Sequence, residues 1–261
     1  MALAFVGLAC FAYGWHDPIG GRGGDTIVGY ALGSIATAMI LWLMWLGVRK
    51  RQYSLSGSRL SKWLSEHVYL GASLLVIIPL HSGFEFGWNV HTLAYALLGV
   101  VVLSGFLGVI FYTSVPRLIT ENRPGEKLDA LLQQIADLDG ECRMLATELP
   151  DAIARAVGRA VDDTRIGGGF VRQLSGRDPG CPTAAGLHAA REILKGLDGS
   201  QYETTLRLTE VLARKSGLLS RVRRDLRLRA LLDVWLYFHV PVSFALLAAV
   251  AVHIFVVFYY R

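Results

Sequence analysis

The chain has 261 residues and a net charge of +5, a modest surplus carried mainly by clusters beside apolar runs, so nucleic-acid recognition is not expected. Hydrophobic residues make up 53% of it, which excludes a disordered chain and indicates a membrane protein. Cys10, Cys142 and Cys181 stand apart with neither CxxC nor CxxCH spacing, so an iron-sulfur cluster, a structural zinc site and covalent c-type haem are not indicated.

Residues 1–13 form an apolar run shorter than the roughly 20 residues that cross a bilayer comfortably. Without a basic n-region or an A-x-A site, a signal peptide is disfavoured. The run is read as a first membrane helix, its length met by tilt, local thinning or an upstream start. A turn-rich loop with His16 and Asp17 follows. Ile27 to Val48 is long enough to span and ends in Arg49, Lys50 and Arg51, with Arg59 and Lys62 beyond. By the positive-inside rule that end is cytoplasmic, with Trp42 and Trp45 as interface anchors. The next span, Trp63 to Phe84, therefore runs outward, and GFEFGWN is an outer loop. Val90 to Tyr112 returns inward and ends before Pro116 and Arg117.

From Arg117 to Arg229 apolar residues recur at helical spacing among charges, in segments beginning at Glu126, Asp151, Ala184 and Tyr202. Glycine and proline at 167–170 and 176–182 mark turns. The expected architecture is an all-α integral membrane protein, a bundle of four to five spans. Residues 1–116 hold the first helices, 117–230 a small helical cytoplasmic domain, and 231–261 the last span. Arg221, Arg223, Arg224, Arg227 and Arg229 place the start of that span inside, and the preceding amphipathic helix is expected to run on into it.

Two of the spans carry histidines in the same pattern. His67 and His81 are fourteen residues apart, and so are His239 and His253. Fourteen helical residues rise about 21 Å and return to within roughly 40° of the starting direction, so each pair faces one way at two depths. Both helices run outward, which matches His67 with His239 at the inner depth and His81 with His253 at the outer. A lone histidine in a membrane helix is often a bundle hydrogen bond. Four in register, inside spans where ionisable groups are costly, indicate axial ligation of two b-type haems. A dinuclear metal site is the weaker alternative, because only Glu66 stands beside either pair.

This doubled pairing on two helices of like orientation, with one span between, resembles the di-haem cytochrome b of bc complexes. It also resembles the membrane domain of ferric reductases and NADPH oxidases. The likeness covers roughly Trp63 to Tyr112 and Leu231 to Arg261. No bc-type quinol tetrapeptide and no flavin or nicotinamide domain accompanies it. The resemblance implies two non-covalent haem b groups on His67, His239, His81 and His253, and electron transfer across the membrane.

Around the ligands, Gly71, Ser243 and Ala249 are small enough to admit a macrocycle, though ordinary helix packing explains them as well. Pro79 and Pro241 free carbonyls that could orient an imidazole, or merely bend their helices. Arg59, Lys62 and Arg229 are candidates to neutralise propionates, and solvated basic residues are their commoner role. His91 is a candidate substitute ligand, propionate partner or quinone contact, with an interfacial polar residue as the default. The leading function is an electron-transfer subunit in the bacterial inner membrane, working with a c-type cytochrome, iron-sulfur protein or flavoprotein. A quinol or quinone oxidoreductase subunit with a bound quinone, and a non-redox anchor or assembly protein, are the alternatives.

Overall fold

The computed structural model describes residues 2–18, 21, 23–52, 57–176 and 178–259, with the side chains of 46–52 and 57–62 left aside. Among the described residues all regular structure is helical. The helices are α1 (Ala2–Trp15), α2 (Ile27–Gln52), α3 (Gly57–Ser82), α4 (Val90–Asn122), α5 (Leu128–Ala146), α6 (Asp151–Asp162), α7 (Phe170–Ser175), α8 (Pro182–Leu194) and α9 (Ser200–Tyr259). Four of them, α2, α3, α4 and α9, are long and apolar enough to cross a membrane. With 14 residues, α1 rises only about 21 Å against a hydrocarbon core of about 30 Å. It packs chiefly on α3.

The chain divides into two compact units, one of Met1–Ile110 with Trp235–Arg261 and the other of Phe111–Val234. The first is the helix bundle. Its core joins Ala9 of α1, Leu32, Ala36, Met39 and Ile40 of α2, Leu74, Ile77 and Leu80 of α3, Ala94, Leu98 and Val102 of α4, and Leu246, Ala249 and Val250 of α9. Large apolar side chains such as Leu103, Leu107, Phe244 and Phe255 are exposed on its outside, the distribution a helix bundle adopts in lipid, where apolar residues gain nothing by hiding.

Local chemistry sets the helix ends. Thr26 caps α2, its hydroxyl accepting from Gly29 N at 3.0 Å, and Asn89 caps α4, its side-chain oxygen accepting from Thr92 N at 3.0 Å. Beyond α3, Gly83 and Phe84 both take left-handed backbone, φ 63° and 64°, and Phe84 N closes back on Pro79 O at 3.0 Å. Pro79 lies inside α3 and has no N–H for the Leu75 carbonyl four residues earlier. Tyr95 of α4 supplies the missing donor, its hydroxyl reaching Leu75 O at 3.2 Å. A carbonyl that would otherwise face an apolar medium is thus satisfied across the helix pair.

The second unit packs α5, α6, α8 and the first part of α9 around Cys142, Ile153, Val157, Ala160, Leu208 and Leu212, with a second cluster of Leu131, Ile135, Cys181, Leu219 and Val222. Several polar groups inside it are paired, although the wholly buried Thr205 Oγ1 has no hydrogen-bond partner among the described residues. Lys215, 1% exposed, forms an ion pair with Asp139 and donates to Ala160 O at 2.6 Å. Asp178 receives both Arg172 and Arg223. Burial pushes the Cys142 thiol up to about 11, so it stays protonated and packs as an apolar side chain.

The sequence placed the end of the fourth span before Pro116, whereas α4 continues through that proline to Asn122. Its last turn is fixed from outside. Fully buried Asp225 of α9 accepts from Asn122 Nδ2 at 2.8 Å and pairs with Arg123 Nε at 2.7 Å, while Asn122 also donates to Arg221 O at 2.8 Å. Helix α9 is continuous from Ser200 to Tyr259 with Pro241 inside it. The short helix α7, between the glycine stretch at 167–169 and left-handed Gly176, fills the gap between the two expected turns, where no helix was expected.

Candidate functional site

All four paired histidines lie in the bundle unit and are partly buried. His67 stands fourteen residues before His81 on α3, and His239 fourteen before His253 on α9. The rings of His81 and His253, one from each of the same two helices, are 6.2 Å apart and nearly perpendicular. Helix α4 runs from His91, beside His81 and His253, past Tyr95, bonded to Leu75 O of α3, to Ser104, bonded to His239 of α9, so α3 and this part of α9 both run opposite to α4 and in the same direction as each other.

At the outer end, His81 Nδ1 lies 2.7 Å from the Gly29 carbonyl of α2. A carbonyl can only accept, so Nδ1 carries the proton and Nε2 presents a bare lone pair. The first turns of α2 reach His81 because glycines line them. A Cβ at Gly33 would stand 2.6 Å from His81 Cε1, and one at Gly29 would stand 2.3 Å from Gly23 O. These two positions, one turn apart in GYALG, form a small-xxx-small face that lets α2 close on the ring.

At the inner end, the Ser104 hydroxyl of α4 is 2.7 Å from His239 Nδ1 and donates to Val101 O at 2.8 Å. The hydroxyl has a single proton, which Val101 takes, so His239 Nδ1–H is the donor to Ser104 and Nε2 is again free. Trp235 stacks on the His239 ring at 5.0 Å and donates from Nε1 to Ser104 O at 2.6 Å. Glycine makes room here too, since a Cβ at Gly108 would meet the Trp235 ring at 2.2 Å. Both helices that flank the histidines thus fix ring tautomer and orientation, the usual duty of groups behind metal-bound imidazoles.

His91, at the start of α4, joins the outer pair. Its ring is 5.7 Å from His81 and 4.9 Å from His253, and its Nε2 is buried without a hydrogen-bond partner. One ligand nitrogen from each of the three lies within 4.8 Å of the others. An ion bound at about 2.0–2.1 Å to imidazole nitrogens on opposite sides holds the ring centres about 6 Å apart. His81 and His253 have that spacing, and His91 with His253 is too close for it. The imidazoles of His81 and His253 could hold a haem iron between them, and His91 stands beside both.

The other sequence candidates fare differently. Glu66 is exposed, as is Arg229, which belongs to the second unit. The side chains of Arg59 and Lys62 lie outside the described residues. Gly71 has only Leu43 near it, at 4.0 Å, Ser243 bonds back to His239 O at 2.8 Å, and Ala249 is core. The carbonyl that orients His81 comes from Gly29 rather than from a gap left by Pro79. Sequence reasoning missed Gly29, Gly33, Ser104, Gly108 and Trp235. GYALG at 29–33 and SGFLG at 104–108 were the available signals, as small-residue faces on apolar helices.

In the second unit a groove of about 560 Å3 between α5 and α9 is lined by residues of both charges, including Asp137, Glu141, Arg214 and Arg221. Comparison of the chain with protein-family models, curated proteins and solved structures gives no match.

Proposed function

We propose that the chain is an electron-transfer subunit of a bacterial inner-membrane redox complex, holding two b-type haems, one on His67 and His239 and one on His81 and His253. The observation that carries the reading is the outer pair, with ring centres 6.2 Å apart and the His81 Nδ1 proton committed to Gly29 O. When bound, the haems supply reversible one-electron chemistry. Gly29 and Ser104 hold the rings so that Nε2 faces the ligand position, and hydrogen bonding from behind raises the ligands' basicity. Two histidines per iron leave no open coordination position, which favours electron passage over chemistry on a small substrate. Basic residues after α2 and along α9 favour a cytoplasmic location for 117–230, with partner redox proteins supplying and accepting electrons on the two faces.

A visible spectrum and pyridine haemochrome of the purified chain test this, with two non-covalent b haems per chain expected. An intact chain without haem would reject it. In the loaded protein, His67→Ala and His239→Ala should each remove the inner haem alone, and His81→Ala and His253→Ala the outer haem alone. Loss of the same haem from His67→Ala and His253→Ala would overturn the pairing.

A further inference from the structure

We infer that His81, His91 and His253 form a three-imidazole site that binds a single divalent transition ion in place of the outer haem. The site rests on the haem reading only for that exclusion. The three rings come from α3, α4 and α9, and their ligand nitrogens lie within 4.8 Å of one another. A tetrahedral ion at about 2.0–2.1 Å from each nitrogen needs them about 3.4 Å apart, so each ring closes in by less than about 1 Å. Three neutral nitrogen donors without thiolate or carboxylate select zinc, copper, nickel or iron over magnesium or calcium. His81 is already presented for this by its bond to Gly29 O. His91 contributes what the axial pair lacks. Its Nε2 is buried and has no hydrogen-bond partner among the described residues, an unfavourable state for a polar atom unless something binds it. The 4.9 Å separation of the His91 and His253 rings suits two ligands at an angle on one ion rather than on opposite sides of it. Both occupants require the nitrogens of His81 and His253, so bare ion and macrocycle exclude each other.

The test uses the full chain purified without haem from a haem-deficient host, equilibrated with Zn2+ and, for its visible spectrum, Co2+. One Zn2+ per chain is expected, with a four-coordinate Co2+ spectrum, and His67→Ala and His239→Ala should bind equally well. Since loss of even a partner behind a ligand weakens metal binding about 10–100-fold, His91→Ala should weaken it by at least about 100-fold. His91→Ala should still take up the outer haem, which shows that the variant is folded; circular dichroism and gel filtration provide the same check without haem. Haem added to the Zn2+-loaded wild-type chain should release the ion as the outer site fills. Absence of stoichiometric Zn2+, or undiminished binding by His91→Ala, would overturn the site. Zinc bound as expected by a chain that never takes up haem would instead reject the haem reading and leave the ion site standing.

Discussion

A methyl group at Gly33 would stand 2.6 Å from His81 Cε1, closer than two carbons can approach, while Nδ1 holds Gly29 O. Gly33→Val is therefore expected to displace His81 and empty the proposed outer haem site, leaving the proposed inner haem at full occupancy by pyridine haemochrome. Equal loss of both haems would mean that the glycine supports the bundle as a whole. At this scale the fourteen-residue repeat of the four histidines was legible, because it survives any detail of packing. Their hydrogen-bond partners were not. Gly29 and Ser104 reach the rings from neighbouring helices, and no local pattern in α3 or α9 encodes which carbonyl or hydroxyl will lie opposite. His91 was visible as a histidine near the right depth, and its approach to 4.9 Å from His253 depends on how α4 enters the bundle.

The choice of apolar runs was readable from hydropathy alone, since lipid demands uninterrupted apolar turns, whereas the helices run past those runs at one end or the other. Helix α4 nevertheless outran its expected end, because a proline removes one hydrogen bond while Asp225 secures the turn beyond it. That carboxylate is wholly buried and holds Arg123, itself only 15% exposed, at 2.7 Å. Removing one partner of a buried pair leaves the other charge uncompensated, at about 3–5 kcal/mol. Asp225→Ala should lower stability by about that amount in thermal or denaturant unfolding, and the double variant with Arg123→Met should recover much of it. A loss below about 1 kcal/mol would mean that the pair is solvated as an ordinary surface contact.

The division into two units falls at 110/111 and 234/235. The bundle's core draws only on residues between Ala9 and Val102 and between Leu246 and Val250. Replacing Gly125 to Gly217 by a flexible linker is therefore expected to leave both haems bound while abolishing co-purification with a redox partner. Loss of a haem with partner binding intact would show that the second unit serves the sites rather than the partner. The sequence offers amphipathic helices and no cofactor motif in that unit; among the described residues, the metal-capable group of three is His81, His91 and His253.

The Asp225 contacts also bear on the order of assembly. His67 and His239 are 172 residues apart in the chain, as are His81 and His253. Bringing such distant residues together carries an entropy cost that grows with the logarithm of the intervening length. Once the 111–234 unit has folded, Asn122 is tied to Asp225, and the flexible stretch left to close shrinks to the 55 residues from His67 to Asn122 and the 14 from Asp225 to His239. That shortening lowers the closure cost by about 0.8 kcal/mol, so each histidine meets its partner across a loop that a neighbouring unit has already tied off.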